Sequence, residues 1–178
     1  GREARGPRDH RPERGSRPDR AERPERGPRL SDAAFRAQRD AVDAAQQALR
    51  KLAAQAHGEA VTQLLQAWAQ RDAAALPAAH DLGKLPAAAR TGWSQALSAS
   101  AKGDAAQALL RLEVAADIPT PAQHHSQRRM LQLQLLTQRN AAMPAETWAQ
   151  DVATVLASAH EEAAARRLQN ALKVLLRK

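Results

Sequence analysis

Between Leu109 and Arg139 the large aliphatic side chains crowd into two runs separated by Pro119-Thr120-Pro121. The first run is Leu109-Leu110-Arg111-Leu112-Glu113-Val114, and the second is Met130-Leu131-Gln132-Leu133-Gln134-Leu135-Leu136. Apolar residues three and four apart predict helices on both sides of a proline-marked turn. Thr120 and Gln123 have capping-box spacing and Pro121 suits the first helical position, so the second helix is predicted over 121–139. Its apolar residues point in nearly every direction, which predicts a helix surrounded by core on most sides. A polar strip of His125, Arg128, Gln132 and Arg139 is left over.

The same periodicity runs through the rest of the folded part. Phe35, Val42, Leu49 and Ala56 recur every seven residues, with Ala45 and Leu52 between them, a coiled-coil-like seam. Ser31 caps this helix and Leu30 stands opposite Phe35 at hydrophobic-staple spacing. Val61, Leu64, Leu65 and Trp68 continue the pattern. Residues 30–72 therefore read as one long helix or a helical hairpin, with a turn at His57-Gly58 the preferred form. Residues 73–85, punctuated by Pro77 and Gly83, read as a connection. Residues 86–178 read as a helical bundle packed with 30–72 as one domain. Its helices start at Pro86, Asp104, Pro121 and Pro144, and after a second capping box of Ser158 and Glu161. Trp68, Trp93 and Trp148 each fall in an apolar stripe and read as core anchors. No strand pattern competes, so the predicted fold is all-α, a bundle of about six helices.

Residues 1–29 are of another kind. Arginine stands at every third position: Arg2, Arg5, Arg8, Arg11, Arg14, Arg17, Arg20, Arg23, Arg26 and Arg29. Five prolines and four glycines in this stretch forbid a stable helix and predict a disordered tail with polyproline II character. At three residues per turn the arginines would line one edge, roughly 9 Å apart, a ladder that suits a phosphate backbone. Six acids dilute it, and a solvated linker is the competing reading.

The chain carries a formal charge of +8 and a sequence pI near 11.1, which favours acidic partners, with RNA or the ribosome first. Exposed candidates on the last helix are Arg166, Lys173 and Arg177, opposite its apolar stripe. Only 2% of residues are aromatic, so contact with phosphates is expected rather than base stacking. There are no cysteines, which suits a reducing cytoplasm. No apolar run is long enough to cross a membrane. Residue 1 is Gly1 and no apolar leader follows, so a piece of a longer protein is expected.

Catalytic and cofactor signatures are absent. No glycine-rich phosphate loop occurs. Gly92-Trp93-Ser94 lacks the second glycine of a nucleophile elbow and lies in a helical stretch. His124 and His125 are adjacent and cannot chelate as a pair four apart would, and His160-Glu161-Glu162 lacks a second histidine. No metal, cofactor, small-molecule substrate or enzymatic activity is expected. Glu113 is the one acid that falls inside an apolar arc, among Leu109, Leu112 and Ala116. A carboxylate there needs a partner, and Arg128 on the following helix is the predicted one.

The residues Leu112-Glu113, the prolines after them and Arg128…Gln132-x-Gln134-x-Leu136 resemble the C-terminal block of long bacterial proteins of the "domain of unknown function 349" family. The Ala/Arg-rich linker before Leu30-Ser31-Asp32-Ala33-Ala34-Phe35-Arg36 is similar to the late linker of such proteobacterial proteins. The resemblance implies helices, a cytoplasmic setting, earlier repeated helical domains and no established activity. Two functions are therefore expected of such a chain. One is electrostatic binding of RNA or ribonucleoprotein. The other is docking on helical protein partners or on a second copy, with the arginine tail a linker.

Overall fold

A computed structural model describes residues 15 and 31–177. Among them are six α-helices and no strand, in the order α1 (Asp32–Gln70), α2 (Ala87–Ser98), α3 (Ala105–Ala116), α4 (His125–Thr137), α5 (Pro144–Ala157) and α6 (Glu162–Leu175). The all-α prediction holds. The predicted tail, with its arginines from Arg2 to Arg29, and Leu30 lie outside the described residues. The chain divides into two units, Gly1–Ala44 and Ala45–Lys178, and the division falls inside α1.

Helix α1 starts as its sequence dictates. Ser31 Oγ accepts from the amide of Ala34 at 3.2 Å, and Asp32 sits in the first turn where the helix dipole favours a carboxylate. The predicted turn at Gly58 does not occur, and α1 runs through it unbroken. A lone glycine costs a helix about 1 kcal/mol relative to alanine, and the alanine-rich flanks carry the helix across. The helix stops at Arg71, whose φ of 49° is left-handed. There the amides of Arg71 and Asp72 bond back to the carbonyls of Trp68 and Ala67, both at 3.0 Å, a Schellman closure without glycine. Two short 3₁₀ turns, Ala73–Ala75 and Ala79–Leu82, fill the predicted connection.

The core of the second unit begins at the last turns of α1, with Val61, Leu64 and Trp68. Trp93 and Leu97 of α2, Leu109 and Leu112 of α3, Val152, Val155 and Leu156 of α5, and Leu168, Leu172 and Leu175 of α6 complete it. Helix α3 is central and packs on both α5 and α6, while α2 packs on α5. Asp104 caps α3 by accepting from Gln107 N at 3.1 Å, and Pro144 opens α5 without losing a hydrogen bond. Trp68 and Trp93 are fully buried. Trp148 is half-buried, edge-on to Trp93 at 6.3 Å.

Both predicted capping boxes fail, for the same reason. The hydroxyl of Thr120 is spent on Glu113, and that of Ser158 bonds back to Val155 O at 2.5 Å. Helix α4 therefore starts at His125, after a 3₁₀ turn over Ala122–His124, and α6 starts at Glu162 with no side-chain cap.

Candidate interaction surface

Glu113 is buried, 2% exposed, as its place in an apolar arc requires. Its ion-pair partner is Arg167 of α6, not Arg128. Arg167 holds both carboxylate oxygens, through Nη2 to Oε1 and through Nε to Oε2 at 3.3 Å. Arg128 instead donates to the carbonyl of Ile118 and, at 2.9 Å, to Thr120 Oγ1. The Thr120 hydroxyl in turn donates to Glu113 Oε1 at 3.2 Å. Arg128 thus reaches Glu113 only through one hydroxyl.

Backbone geometry explains the substitution of partners. Asp117, at φ 55°, closes α3 in the left-handed region, and Ile118 N bonds back to Glu113 O at 3.1 Å. The reversed chain offers the Ile118 carbonyl and the Thr120 hydroxyl to the Arg128 guanidinium. His125 Nε2 adds a contact to Thr120 O at 2.8 Å. This polar cluster ties the start of α4 to the end of α3, and the pair inside it ties α3 to α6.

What the anchored helix presents is unlike the prediction. Of the thirteen residues of α4 only Leu131 is buried. Met130, Leu133 and Leu136 are exposed by 63, 62 and 85%. The expectation of core on most sides is corrected: α4 has α3 as its main helical neighbour, and among the described residues its outer side stays exposed. At three-residue intervals these side chains form an apolar ridge along α4. Beside it lies a shallow groove of about 240 Å³ lined by Gln107, Gln127 and Gln134, with Leu131 and Met130 as its apolar part.

The sequence through this ridge is one-sided in charge. From Ile118 to Ala145 the sequence has no carboxylate, but it has Arg128, Arg129 and Arg139. Arg128 is turned inward by its contacts, while Arg129 and Arg139 are exposed and have no ion-pair partner among the described residues.

Helix α1 also leaves apolar groups open. In the first unit Phe35 and Val42 are exposed, with the Arg39 guanidinium over the Phe35 ring at 5.8 Å. In the second unit Leu49 and Leu52 are exposed.

The basic residues at the C-terminal end, Arg166 and Lys173 of α6 and Arg177 just beyond it, are all exposed. Near the last of these, His57 of α1 has a buried Nε2 with no hydrogen-bond partner among the described residues. Burial, then the Arg177 charge, holds its pKa below the ordinary 6.5, against a backbone hydrogen bond at Lys173 that raises it.

A larger open cleft of about 580 Å³ lies between α3, α6 and the 3₁₀ turn before α4, with Leu109 and Val155 in its lining and His124, Glu161 and Arg166 around them. Among the described residues no group of three or more His, Asp or Glu is placed to hold a metal ion, and no helix is long and apolar enough to cross a membrane.

Three features escaped the sequence reading. Arg167 was detectable, since it shares a helical face with Ala164 and Ala171. The Thr120 hydroxyl, which the sequence offers as a cap, is engaged by Glu113. The exposure of the α4 ridge has no sequence signal, because a leucine that packs and one left in solvent look alike. Comparison with protein-family models, curated proteins and solved structures finds no match for this chain.

Proposed function

We propose that this chain is a non-enzymatic helical interaction module that docks on helical protein partners through apolar faces its own fold leaves open. The α4 ridge is the observation that carries this reading. Met130, Leu133 and Leu136 stand in solvent on a helix whose start is anchored by Arg128 and His125, so the surface is held ready. Fully burying such side chains is worth about 1.5–3 kcal/mol each, against roughly 4–15 kcal/mol for association. Three of them alone support weak binding, and the open residues of α1 or charged contacts must supply the rest. In this reading the chain works in the cytoplasm, and the resemblance of residues 109–139 to the "domain of unknown function 349" family agrees with a helical module.

A photo-crosslinking residue at position 133 tests it in cells. The expected result is a discrete protein adduct that survives nuclease and disappears when Met130 and Leu136 are both changed to serine. Adducts to RNA alone, or none, would remove the proposal.

Binding of RNA or ribonucleoprotein is the second reading, and the outer side of α6 favours it. Arg166 and Lys173 are seven residues apart, hence on one face, and Arg177 follows just beyond the helix. Contacts of this kind are electrostatic and independent of sequence. The logarithm of affinity should fall with the logarithm of salt by roughly 0.7 per phosphate neutralised on a single strand. Changing Arg166, Lys173 and Arg177 to serine should lower that slope by about 2; an unchanged slope removes α6 from the interface.

A further inference from the structure

We infer that the partner seated on α4 is an acidic amphipathic helix, one that lays apolar side chains on the Met130–Leu133–Leu136 ridge and points carboxylates at Arg129 and Arg139. This rests on the docking reading above and adds the chemistry of the partner.

Charge selects the occupant. Arg129 and Arg139 are exposed on or just beyond α4, have no ion-pair partner among the described residues, and lie in a stretch of sequence without a carboxylate from Ile118 to Ala145. A basic or neutral helix on the ridge would leave them uncompensated as water is expelled, whereas carboxylates along the partner's flank satisfy them. The neighbouring groove, lined by Gln107, Gln127 and Gln134, can donate to carboxylates or accept from cations and so leaves the choice to the arginines.

A second copy of this chain does not fit. Two α4 helices face to face would bring like charges together. The exposed part of α1 mixes both signs, with Asp32, Asp40 and Asp43 among Arg36, Arg39, Arg50 and Lys51, and offers no purely acidic flank. The acid-led α6 keeps its apolar stripe buried. RNA fits less well still: the ridge has no aromatic side chain to stack a base, and exposed leucines gain nothing from phosphates.

The test uses the full chain and three fluorescent synthetic helices sharing one leucine face, with flanking positions all Glu, all Gln or all Lys. Anisotropy titration reads their affinities, and circular dichroism confirms that each protein variant stays folded. The acidic helix is expected to bind roughly fivefold or more tighter than the Gln helix, with the advantage shrinking as salt rises. Leu133→Ser should abolish binding of all three. Arg129→Gln with Arg139→Gln should remove only the acidic preference.

Equal affinity of the Gln or Lys helix overturns the acidic partner and leaves helix docking standing. No binding by any helix overturns the docking reading itself. A dimer in sedimentation that Leu133→Ser dissolves makes a second copy the occupant and sinks the inference. Displacement of the acidic helix by a uridine oligonucleotide does so too, by making α4 a nucleic-acid surface.

Discussion

Trp68 and Arg71 converge on one acceptor: the indole Nε1 and the guanidinium Nη1 both donate to the carbonyl of Ser158, each at 2.9 Å. Arg71 also donates to Ala99 O at 2.9 Å, so one side chain at the end of α1 gathers the segments that follow α2 and α5. Those contacts offset the left-handed backbone of Arg71, which costs a residue other than glycine about 1–2 kcal/mol. Because the carbonyl is shared, either donor can satisfy it alone. Trp68→Phe should therefore lose only about 1 kcal/mol through the hydrogen bond, on top of the cost of a smaller ring in a fully buried site. Combined with Arg71→Ala it should cost more than the sum of the two single changes. A urea-melt double-mutant cycle reads the coupling.

Breaking the buried Glu113–Arg167 pair should be expensive. Glu113→Ala or Arg167→Ala leaves the other charge stranded and should cost about 3–5 kcal/mol. Replacing both by methionine should recover much of that loss. Chemical denaturation separates these outcomes, and a double variant as unstable as the singles would contradict the pairing.

Two glycines should respond in opposite directions. Gly83 has a φ of 67°, and a Cβ there would stand 2.6 Å from Leu176 O, so Gly83→Ala should destabilise by more than about 1 kcal/mol. Gly58 lies within a helix with nothing within 4 Å of an added Cβ, so Gly58→Ala should stabilise by about 0.5–1 kcal/mol. Thermal melts of the two variants decide both.

Acid should weaken the fold first through His57. Its pKa in the folded chain lies below the ordinary 6.5, so between the two values the unfolded chain binds more protons. Stability is then lost as pH falls from 6.5 towards the folded value, and His57→Gln should flatten that part of the profile. Asp151 works the other way. Burial raises its pKa above 3.8, although Arg111 and Thr147, which bond its carboxylate, pull it down. Its ionised form costs the folded state, and stability is regained as pH falls through the raised value towards 3.8. Denaturation midpoints across pH for the parent, His57→Gln and Asp151→Asn chains test both signs.

Leucines of one helix should differ sharply. Leu131→Ala empties a buried site and should cost about 2–5 kcal/mol. Leu133→Ala and Leu136→Ala should fall within about 0.5 kcal/mol of the parent. Equal costs at the three positions would show that the ridge is covered.

Much of the fold was legible because helical periodicity and proline placement are local. Asp104, Pro144 and Ser31 do what their positions announce, and the stripe of α6 is buried residue for residue. The errors share a cause, which is that partners are chosen in three dimensions. Gly58 looked like a break because the cost of one glycine was weighed without the helix around it. Arg128 was offered to Glu113 because it lay next in sequence, while Arg167, 54 residues away, was nearer in space. Thr120 was read as a cap until a buried carboxylate competed for its hydroxyl. In the candidate site the sequence marks Met130, Leu133 and Leu136 as core and Arg139 as part of a polar strip, and gives no sign of Arg129 or the groove glutamines. Burial on one side of α4 is decided by what else the chain can bring there, and periodicity carries no such information.

The three tryptophans have a practical consequence. Trp68, Trp93 and Trp148 sit at the end of α1, in α2 and in α5, and the chain has no tyrosine. Their emission will follow loss of the core sensitively, since two are shielded from water in the native state. None lies on α4 or in the first half of α1, so a ligand seating itself on either will leave the intrinsic signal unmoved. This protein reports its own unfolding and is optically silent about its company.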